Sequence, residues 1–347
     1  MKPSDIVGFL RQPENYPERP SRVELIETHF AWVFLTDLHA YKLKKPLRTA
    51  FLDYRTTAAR RRGCRDELVL NRRLAPTVYL DVMPIVRNYD GALSLGERAG
   101  SKVVDWVVKM RRLPAGRMLD RAIADGSVCK SDLTAVASML IRFFDGAMRQ
   151  PLEAGRYLSK NRELVGTRSA ALIEGHGDLR PEHIYLGSAS DAPCVIDCLE
   201  FDSKLRWLDP AEEMAFLALE CDKLGASEVA RTLVSEYRWA TLLPPAPTLI
   251  DFYMSQGALT RAKLAAWHVR DPEFAPRAAE WRARALSYLA EGARKIAQAL
   301  RMSQANTAIS CCDSRQSQAS DRATAPVDAQ PASVAPPRRR AARSKVS

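Results

Sequence analysis

The sequence predicts an α+β protein with two lobes: a small antiparallel β-sheet lobe that carries one helix, followed by a larger, mainly helical lobe. A chain of 347 residues with 46% apolar and 27% charged residues is long enough for two domains or one large bilobal unit. Strand-like segments dominate as far as residue 113. From Pro114 onward the apolar residues recur at helical spacing, except in a strand-and-loop island over residues 173–201.

The first lobe, residues 1–113, is predicted to be a sheet of short strands with one helix. Residues 29–35 and 39–45 place apolar side chains at half-buried sheet positions on either side of the polar step Thr36-Asp37-Leu38, which predicts two strands joined by a turn. A basic helix is predicted over about 56–74. The remaining strand-like segments are 77–83, a hairpin over 91–100, and 103–110.

The second lobe, residues 114–302, has the period of helices. Helices are predicted at about 116–125, 130–149, 160–170, 210–224, 227–240, 249–268 and 276–301. Residues 303–347 are rich in Ser, Ala, Gln, Asp and Pro and end in PPRRRAARSKVS. We predict that this third segment is a disordered basic tail.

Composition narrows the possible classes of protein. No apolar run approaches the roughly 20 residues that a membrane span needs, and residues 1–20 contain no apolar signal-peptide segment. The seven cysteines are too sparse for a disulfide scaffold, so free thiols are expected. These features predict a cytoplasmic protein. The net charge of +11 favours anionic partners without selecting among nucleotides, nucleic acids and acidic lipids.

The densest polar cluster lies in the island. The segment runs from Glu174 to His183 as EGHGDLRPEH, and a second acid follows a short apolar run at Asp197. A hairpin between them would bring Asp178 and Asp197 into one cleft. Paired carboxylates on loops suit two tasks, orienting a hydroxyl group and holding Mg²⁺, and phosphoryl transfer needs both.

A lysine and a distant glutamate complete the candidate site. Lys42 lies near the end of a predicted strand. On the predicted helix, Glu67 falls on the inward stripe, three residues after Cys64. A carboxylate that faces inward needs a partner, and Lys42 is the obvious candidate.

These motifs resemble a known family. HGDLRPEHI at residues 176–184, with Val-Ile-Asp197, is similar to the catalytic loop and metal-binding strand of the aminoglycoside phosphotransferases, which share the protein-kinase-like fold. More closely, ETHFAWVFLT from Glu27, AYKLKKP from Ala40, FLDY from Phe51 and residues 67–76 resemble a largely uncharacterised bacterial branch. In that branch a phosphotransferase-like domain is often followed by a P-loop ATPase domain. The resemblance covers roughly residues 20–300.

The resemblance implies a role for each matching residue. It implies a catalytic loop with Asp178 as the base that orients the acceptor hydroxyl, beside Arg180. It also implies Mg²⁺, or alternatively Mn²⁺, bound by Asp197 with His183 at the second metal position. Lys42 would contact the ATP phosphates and Glu67 would hold Lys42. The hinge beside adenine would contain Met110, Arg111 and Leu113.

The sequence departs from the family pattern in three places. His183 stands where the wider family usually has Asn, and Mg²⁺ prefers oxygen ligands. The strand connection Thr36-Asp37-Leu38-His39 contains no glycine to grip phosphate, and Asp37 would repel phosphate. No P-loop motif occurs in the chain, so a separate P-loop ATPase protein is a candidate partner.

Several polar residues have structural readings that compete with functional ones. Lys44 and Lys45 suit a solvated edge better than a phosphate contact, and His176 suits bracing of its loop. Asp209 suits the cap of a helix that starts at Pro210, with Glu212 completing a capping box. The last pair, Glu200 and Asp202, fits a metal-proximal position and a solvated turn equally well.

The sequence therefore predicts an ATP-dependent phosphotransferase whose acceptor is an alcohol group of a small molecule. The rival from another class is a pseudokinase-like module that binds nucleotide or a partner without catalysis. A third hypothesis, nucleic-acid binding, depends on the basic surface and the arginines of the tail, and it predicts a steep salt dependence.

Overall fold

The N-terminal lobe is a six-stranded sheet in which every neighbouring pair of strands is antiparallel. The structure, a computed structural model, describes residues 2–49, 52–150, 172–242, 244–270 and 272–323. The strand order is β1-β2-β3-β6-β4-β5. The strands are β1 (Glu24–Glu27), β2 (Ala31–Leu35), β3 (His39–Lys44), β4 (Tyr79–Arg87), β5 (Leu93–Leu95) and β6 (Lys102–Arg111).

Alternation along the strands gives the sheet two packed faces. On β3, Tyr41 and Leu43 are buried on the face covered by helix α1 (Pro3–Leu10), where they join a cluster that includes Ile6. Ala40 faces the opposite side and joins the cluster beneath helix α2 (Thr57–Asn71). The lysines of β3 share the side of Ala40, because side chains two residues apart point to the same face.

Helix α2 begins and packs as its sequence predicts. The Thr56 hydroxyl accepts a hydrogen bond from the backbone N–H of Ala59, which caps the first turn. The buried stripe contains Cys64, Glu67 and Asn71 at helical spacing. This stripe places one carboxylate inside the lobe, facing β3.

The second lobe is a bundle of helices around one apolar core. Its helices are α3 (Leu119–Ala124), α4 (Lys130–Gly146), α5 (Pro210–Lys223), α6 (Ser227–Ala240), α7 (Pro247–Arg270) and the start of α8 (Ala278–Ala323). The core includes Leu140, Met214, Leu233 and Tyr253, all nearly or fully buried. As predicted, Asp209 caps α5, with its carboxylate accepting from the backbone N–H of Ala211.

Short strands inside this lobe hold the loops of the predicted site. One sheet joins β7 (Arg149–Gln150), β8 (Leu172–Glu174) and β11 (Trp207–Leu208), and a second joins β9 (Ile184–Tyr185) to β10 (Cys194–Val195). The β9–β10 pair brings the chain after the HGD motif beside the chain before Asp197. The predicted hairpin between the two acids is therefore present, and the fold is the predicted bilobal α+β arrangement.

The structure adds two elements that the sequence analysis did not predict. Helix α1 has only eight residues, too few for a clear period, although Pro3 at its start and the buried Ile6 and Leu10 suit a helix. Strand β1 lies at the edge of the sheet and is mostly exposed, so it shows no alternation.

The end of the chain also differs from the prediction. Contacts divide the chain into two units, residues 1–299 and 300–347. Helix α8 continues to Ala323, beyond the end predicted near residue 301, and residues 301–325 contain no Gly or Pro that would end it earlier. The prediction of a disordered tail therefore remains only for residues 324–347, which lie outside the described residues, as does the helix predicted at 160–170. Among the described residues, no helix combines the length and apolarity needed to cross a membrane.

Candidate functional site

The predicted lysine and glutamate are in contact. The Lys42 ammonium lies 2.8 Å from one carboxylate oxygen of Glu67 on α2 and 2.5 Å from a carboxylate oxygen of Asp197. Lys42 comes from the sheet, Glu67 from the helix that packs on it, and Asp197 from the loop that follows β10. Three separate elements thus bring these charges to one point, as the hairpin and stripe arguments predict.

Lys44 lies in this site as well, which corrects the prediction that it belongs to a solvated edge. Its side chain is 2% exposed, and its ammonium donates to Glu67 at 2.6 Å and to Glu200 at 2.5 Å. The Tyr54 hydroxyl donates to the same Glu200 oxygen at 2.9 Å. Lys45 is also buried, and its ammonium lies 2.7 Å from Glu27. We use the name ion-pair chain for the alternating series Asp197–Lys42–Glu67–Lys44–Glu200.

The ion-pair chain keeps its members charged. Burial opposes the charge on Lys42, but the carboxylates of Asp197 and Glu67 outweigh burial and hold the pKa of Lys42 well above its ordinary value. The pKa of Lys44 is raised in the same way, against burial, by Glu200 and Glu67. Although burial alone would raise the pKa of Asp197, the Lys42 ammonium holds it well below its usual range.

Asp197 occupies an unusual backbone conformation. Its φ angle is +63°, in the left-handed region that residues other than glycine rarely adopt. Its N–H donates to the hydroxyl of the buried Tyr79 at 3.0 Å, and the next N–H, of Cys198, donates to the side-chain oxygen of Asn71 at 2.8 Å. Such conformations persist where surrounding contacts fix them, and they concentrate at functional sites.

The residues predicted to form the catalytic loop converge through His183. Its Nδ1 donates to the backbone oxygen of Asp178 at 2.8 Å, so its Nε2 accepts from the Arg180 guanidinium at 3.1 Å. The same Nε2 lies 3.6 Å from Asp197. Arg180 in turn lies 3.2 Å from the Asp178 carboxylate. The structure thus links Asp178, Arg180, His183 and Asp197 in one polar cluster.

Glu213 supports the catalytic loop and was missed by the sequence analysis. Its buried carboxylate accepts hydrogen bonds from the backbone N–H groups of His176 and Gly177, at 2.9 and 2.5 Å. Burial raises its pKa to about 7, against the effect of those donors. Gly175 makes room for it, because a Cβ there would lie 2.9 Å from the carboxylate. The available signal was helical spacing: position 213 lies one turn before the core residue Leu217, on the same buried face of α5.

His176 braces the loop, as the sequence analysis predicted. Its ring is fully buried, and Nε2 donates to the backbone oxygen of Ile196 at 3.0 Å. Burial lowers its pKa to about 4, so the ring is neutral at neutral pH. His176 therefore connects the loop of Asp178 to the residue that precedes Asp197.

The predicted hinge residues take different positions. Met110 is buried and pairs across the sheet with Ala40, while Leu113 packs against the same apolar cluster. Arg111 instead forms an ion pair with Asp191 at 2.9 Å. The apolar cluster that contains Met110 also includes the partly buried side chains of Val33, Leu35 and Ile196. It offers an apolar surface beside the charged groups of β3.

The two turns that connect the first three strands of the sheet differ in their contacts. Residues 36–38 connect β2 to β3, and the Asp37 carboxylate accepts from the N–H and hydroxyl of Ser21. The first hairpin of the sheet, β1–β2, turns at residues 28–30, where Thr28 bonds both backbone groups of Ala31. This turn also lacks glycine, and the Phe30 ring packs 5.8 Å from that of Phe201.

Glu200 and Asp202, which in sequence fit a metal-proximal position and a solvated turn equally well, take different positions in the structure. Asp202 caps a short turn, accepting from the backbone N–H of Lys204 at 2.9 Å. Glu200 lies in the ion-pair chain instead.

The donor set suits a metal ion that is shared with phosphate. Within the residues described, no group of three or more His, Cys, Asp and Glu side chains could hold a metal ion on its own. Mg²⁺ in nucleotide sites is usually held by one or two carboxylates together with phosphate oxygens. The ionised Asp197, with 43% of its side chain exposed, meets that requirement. The Nε2 of His183 is already engaged by Arg180, so His183 fits the requirement poorly.

Curated proteins similar in sequence come from mycobacteria. Uncharacterised proteins of Mycobacterium tuberculosis and Mycobacterium bovis are each 28% identical in an alignment of length 283 that covers 70% of this chain and 54% of the relative. The chain thus spans about half the length of the curated relatives it matches. No family model matches the chain.

Two solved structures align with most of this chain. One is a choline/ethanolamine kinase family protein from Mesorhizobium loti, with 13% identity, a TM-score of 0.48, and coverage of 86% of this chain and 99% of that one. Another is a thermostable mutant of aminoglycoside phosphotransferase APH(4)-Ia in complex with AMP-PNP and hygromycin B. It has 11% identity, a TM-score of 0.44, and coverage of 84% and 99%.

Proposed function

We propose that the protein is an ATP-dependent phosphotransferase that transfers the γ-phosphoryl group to an alcohol hydroxyl of a small molecule. The observation that carries this proposal is the convergence of Lys42, Glu67 and Asp197 beside the catalytic-loop Asp178. Phosphoryl transfer depends mainly on positioning and on neutralising phosphate charge, and this set supplies a buried cation, an ionised metal ligand and a base.

In the proposed complex, adenine lies against the apolar cluster that contains Ala40, Met110 and Leu113. The partly buried side chains of that cluster are adjacent in the sheet to Lys42. Lys42 then contacts the α- and β-phosphates, and Glu67 holds the Lys42 ammonium in place. Arg111 would lie at this hinge, with its side chain paired to Asp191.

Asp197 would hold Mg²⁺, or Mn²⁺ in its place, against the ATP phosphates. The bound ion would supply charge neutralisation of the phosphates. His183 contacts other protein groups in the site. Its Nε2 accepts a hydrogen bond from Arg180, and its Nδ1 donates to the backbone oxygen of Asp178. It thereby orients Asp178 relative to Asp197.

Asp178 acts as the base toward the acceptor. It takes the proton of the acceptor hydroxyl as that oxygen bonds to the γ-phosphorus, and the bond from the γ-phosphorus to the bridging oxygen breaks to release ADP. A cavity of about 350 Å³ lies beside the loop, lined by Pro181, Glu182, Glu220 and Tyr288, among others. Glu182 contacts Arg180 at 2.7 Å, which connects this cavity to the base. We place the acceptor there.

The second candidate is a nucleotide-binding or partner-binding module without turnover. It is favoured by the glycine-free β1–β2 turn and by the engagement of His183 with Arg180. We also propose a cytoplasmic location, where ATP is available, and a P-loop ATPase protein as partner, following the resemblance to the branch that carries such a domain. Nucleic-acid contact is confined in this proposal to the basic segment at residues 338–345.

Two substitutions separate turnover from binding. Asp178→Ala should abolish ADP release from ATP in the presence of a panel of small-molecule alcohols, because a positioned base contributes about 10²–10⁴-fold. It should leave ATP affinity, measured by calorimetry, nearly unchanged. Asp197→Ala should weaken ATP binding only when Mg²⁺ is present. Asp53→Asn, an exposed carboxylate paired with Arg55, serves as the control. Turnover that survives in Asp178→Ala would remove Asp178 from its role.

A further inference from the structure

Lys44 and Glu200 have no part in the proposed chemistry, yet they are the last two members of the ion-pair chain that starts at Asp197. Glu200 follows Asp197 by three residues, so both ends of the chain belong to the same loop. The loop is therefore tied to β3 at two points, by Lys42 at Asp197 and by Lys44 at Glu200. Glu67 lies between the two lysines and contacts both.

The two tie points differ in exposure. Asp197 is 43% exposed, whereas Lys44 is 2% and Glu200 is 11% exposed. A nucleotide phosphate can reach the first point from solvent, but the second is enclosed. The Tyr54 hydroxyl adds a hydrogen bond to Glu200 from the segment that leads into α2.

Binding of a phosphate to Lys42 changes only the first tie. The Lys42 ammonium has three N–H donors, and phosphate oxygens compete with Asp197 for them. Asp197, in its left-handed conformation, then loses the contact that holds its side chain to β3. A backbone in that region needs its surroundings to maintain it.

We propose that Lys44 and Glu200, assisted by Tyr54, are positioning residues that hold the loop of Asp197 against β3 while Lys42 binds phosphate. This inference rests on the proposed function, because it assigns Lys42 to phosphate and Asp197 to the metal ion. The contact between Lys44 and Glu200 therefore supports the coupling between metal binding and nucleotide binding. The contact between Lys42 and the nucleotide does not depend on it.

The test measures the affinity for ATP by calorimetry with saturating MgCl₂ and with EDTA. The ratio of the two dissociation constants reports the coupling between metal and nucleotide. Glu200→Gln keeps the size of the side chain and removes its charge, and it should reduce this ratio by about fivefold or more. The affinity measured in EDTA should stay close to that of the unaltered protein.

A matched control loses a buried ion pair elsewhere on the same helix. Arg60, two turns before Glu67, lies 2.7 Å from Asp105 of β6, and both side chains are buried. Asp105→Asn should lower the melting temperature and leave the ratio unchanged.

Tyr54→Phe removes only the hydroxyl that donates to Glu200 and should reduce the ratio less than Glu200→Gln does. If Glu200→Gln does not fold, the ratio measured for Tyr54→Phe decides whether the inference holds.

The outcomes are distinguishable. An unaltered ratio in Glu200→Gln, or in Tyr54→Phe where the first variant does not fold, would overturn the inference and reduce the second tie to a structural contact. An equal loss in Asp105→Asn would also overturn it, because general loosening of the lobe would then explain the effect. If the unaltered protein binds no ATP in either condition, the proposed function itself fails.

Discussion

Substitution of the two β3 lysines should separate stability from nucleotide binding. Lys42→Met leaves Glu67 paired with Lys44 at 2.6 Å, and it leaves Asp197, which is 43% exposed, open to solvent. No buried carboxylate loses its last partner. We therefore expect a loss of about 1–2 kcal/mol in the free energy of unfolding, the range of one hydrogen bond to a charged group.

Lys44→Met should be more damaging to the fold. Glu200, which is 11% exposed, would lose its cation and keep only the hydrogen bond from the Tyr54 hydroxyl, whereas Glu67 would keep Lys42. Removal of one partner from a buried ion pair costs about 3–5 kcal/mol. The two variants should thus differ by about 2 kcal/mol, or by about 8–16 °C in melting temperature for a lobe of about 110 residues.

Nucleotide binding should follow the opposite order. Lys42→Met should lose ATP affinity with and without Mg²⁺, whereas Lys44→Met, measured at a temperature where it is folded, should still bind ATP in EDTA. Thermal unfolding by circular dichroism and calorimetry of ATP binding give the two readouts. A Lys42→Met variant that is destabilised as much as Lys44→Met would refute the reasoning that Lys44 keeps Glu67 paired.

Two further predictions concern the packing and the titration of the site. Gly63→Ala in the middle of α2 would ordinarily stabilise a helix by about 1 kcal/mol. Here the added Cβ would lie 2.5 Å from the hydroxyl oxygen of Tyr54, so chemical denaturation should show a loss of about 1–3 kcal/mol, and a gain would contradict the packing. Burial raises the pKa of Glu213 to about 7 from 4.5, opposed by Arg73 and reinforced by Asp178. The folded state therefore binds the extra proton, and the stability of the unaltered protein relative to Glu213→Gln should fall, by at most about 3 kcal/mol, as the pH rises from about 4.5 to 7. A constant difference between the two proteins would show that Glu213 is already ionised.

Much of the site could be predicted because its signals are local. The inward stripe of α2 identifies Glu67 as a buried carboxylate, and a buried carboxylate needs a cation, which indicates Lys42. The short apolar runs on either side of the HGD loop predict the hairpin that brings Asp197 to the loop. Each of these arguments starts from a local pattern, the period of one helix or the short apolar runs of one hairpin.

The remaining parts of the site depend on contacts between distant segments. Lys44 follows Lys42 by two residues and shares its face of β3, but its burial depends on Glu200, which is 156 residues further along the chain. Glu213 reaches the catalytic loop from a helix whose sequence indicates only a cap and a core. Periodicity says which face a residue occupies, and only the packed structure says what covers that face.

The measurement that tests the central claim most directly is the thermal shift of the purified protein with ATP, with and without Mg²⁺ or Mn²⁺. At about 100 times its dissociation constant, a ligand stabilises a protein by about 2.7 kcal/mol. We predict a shift that is larger with either metal than without, reduced to the metal-free value in Asp197→Ala, and absent in Lys42→Ala. No shift of the unaltered protein under any of these conditions, or an undiminished shift in Lys42→Ala, would contradict the assignment of a nucleotide site to this cleft.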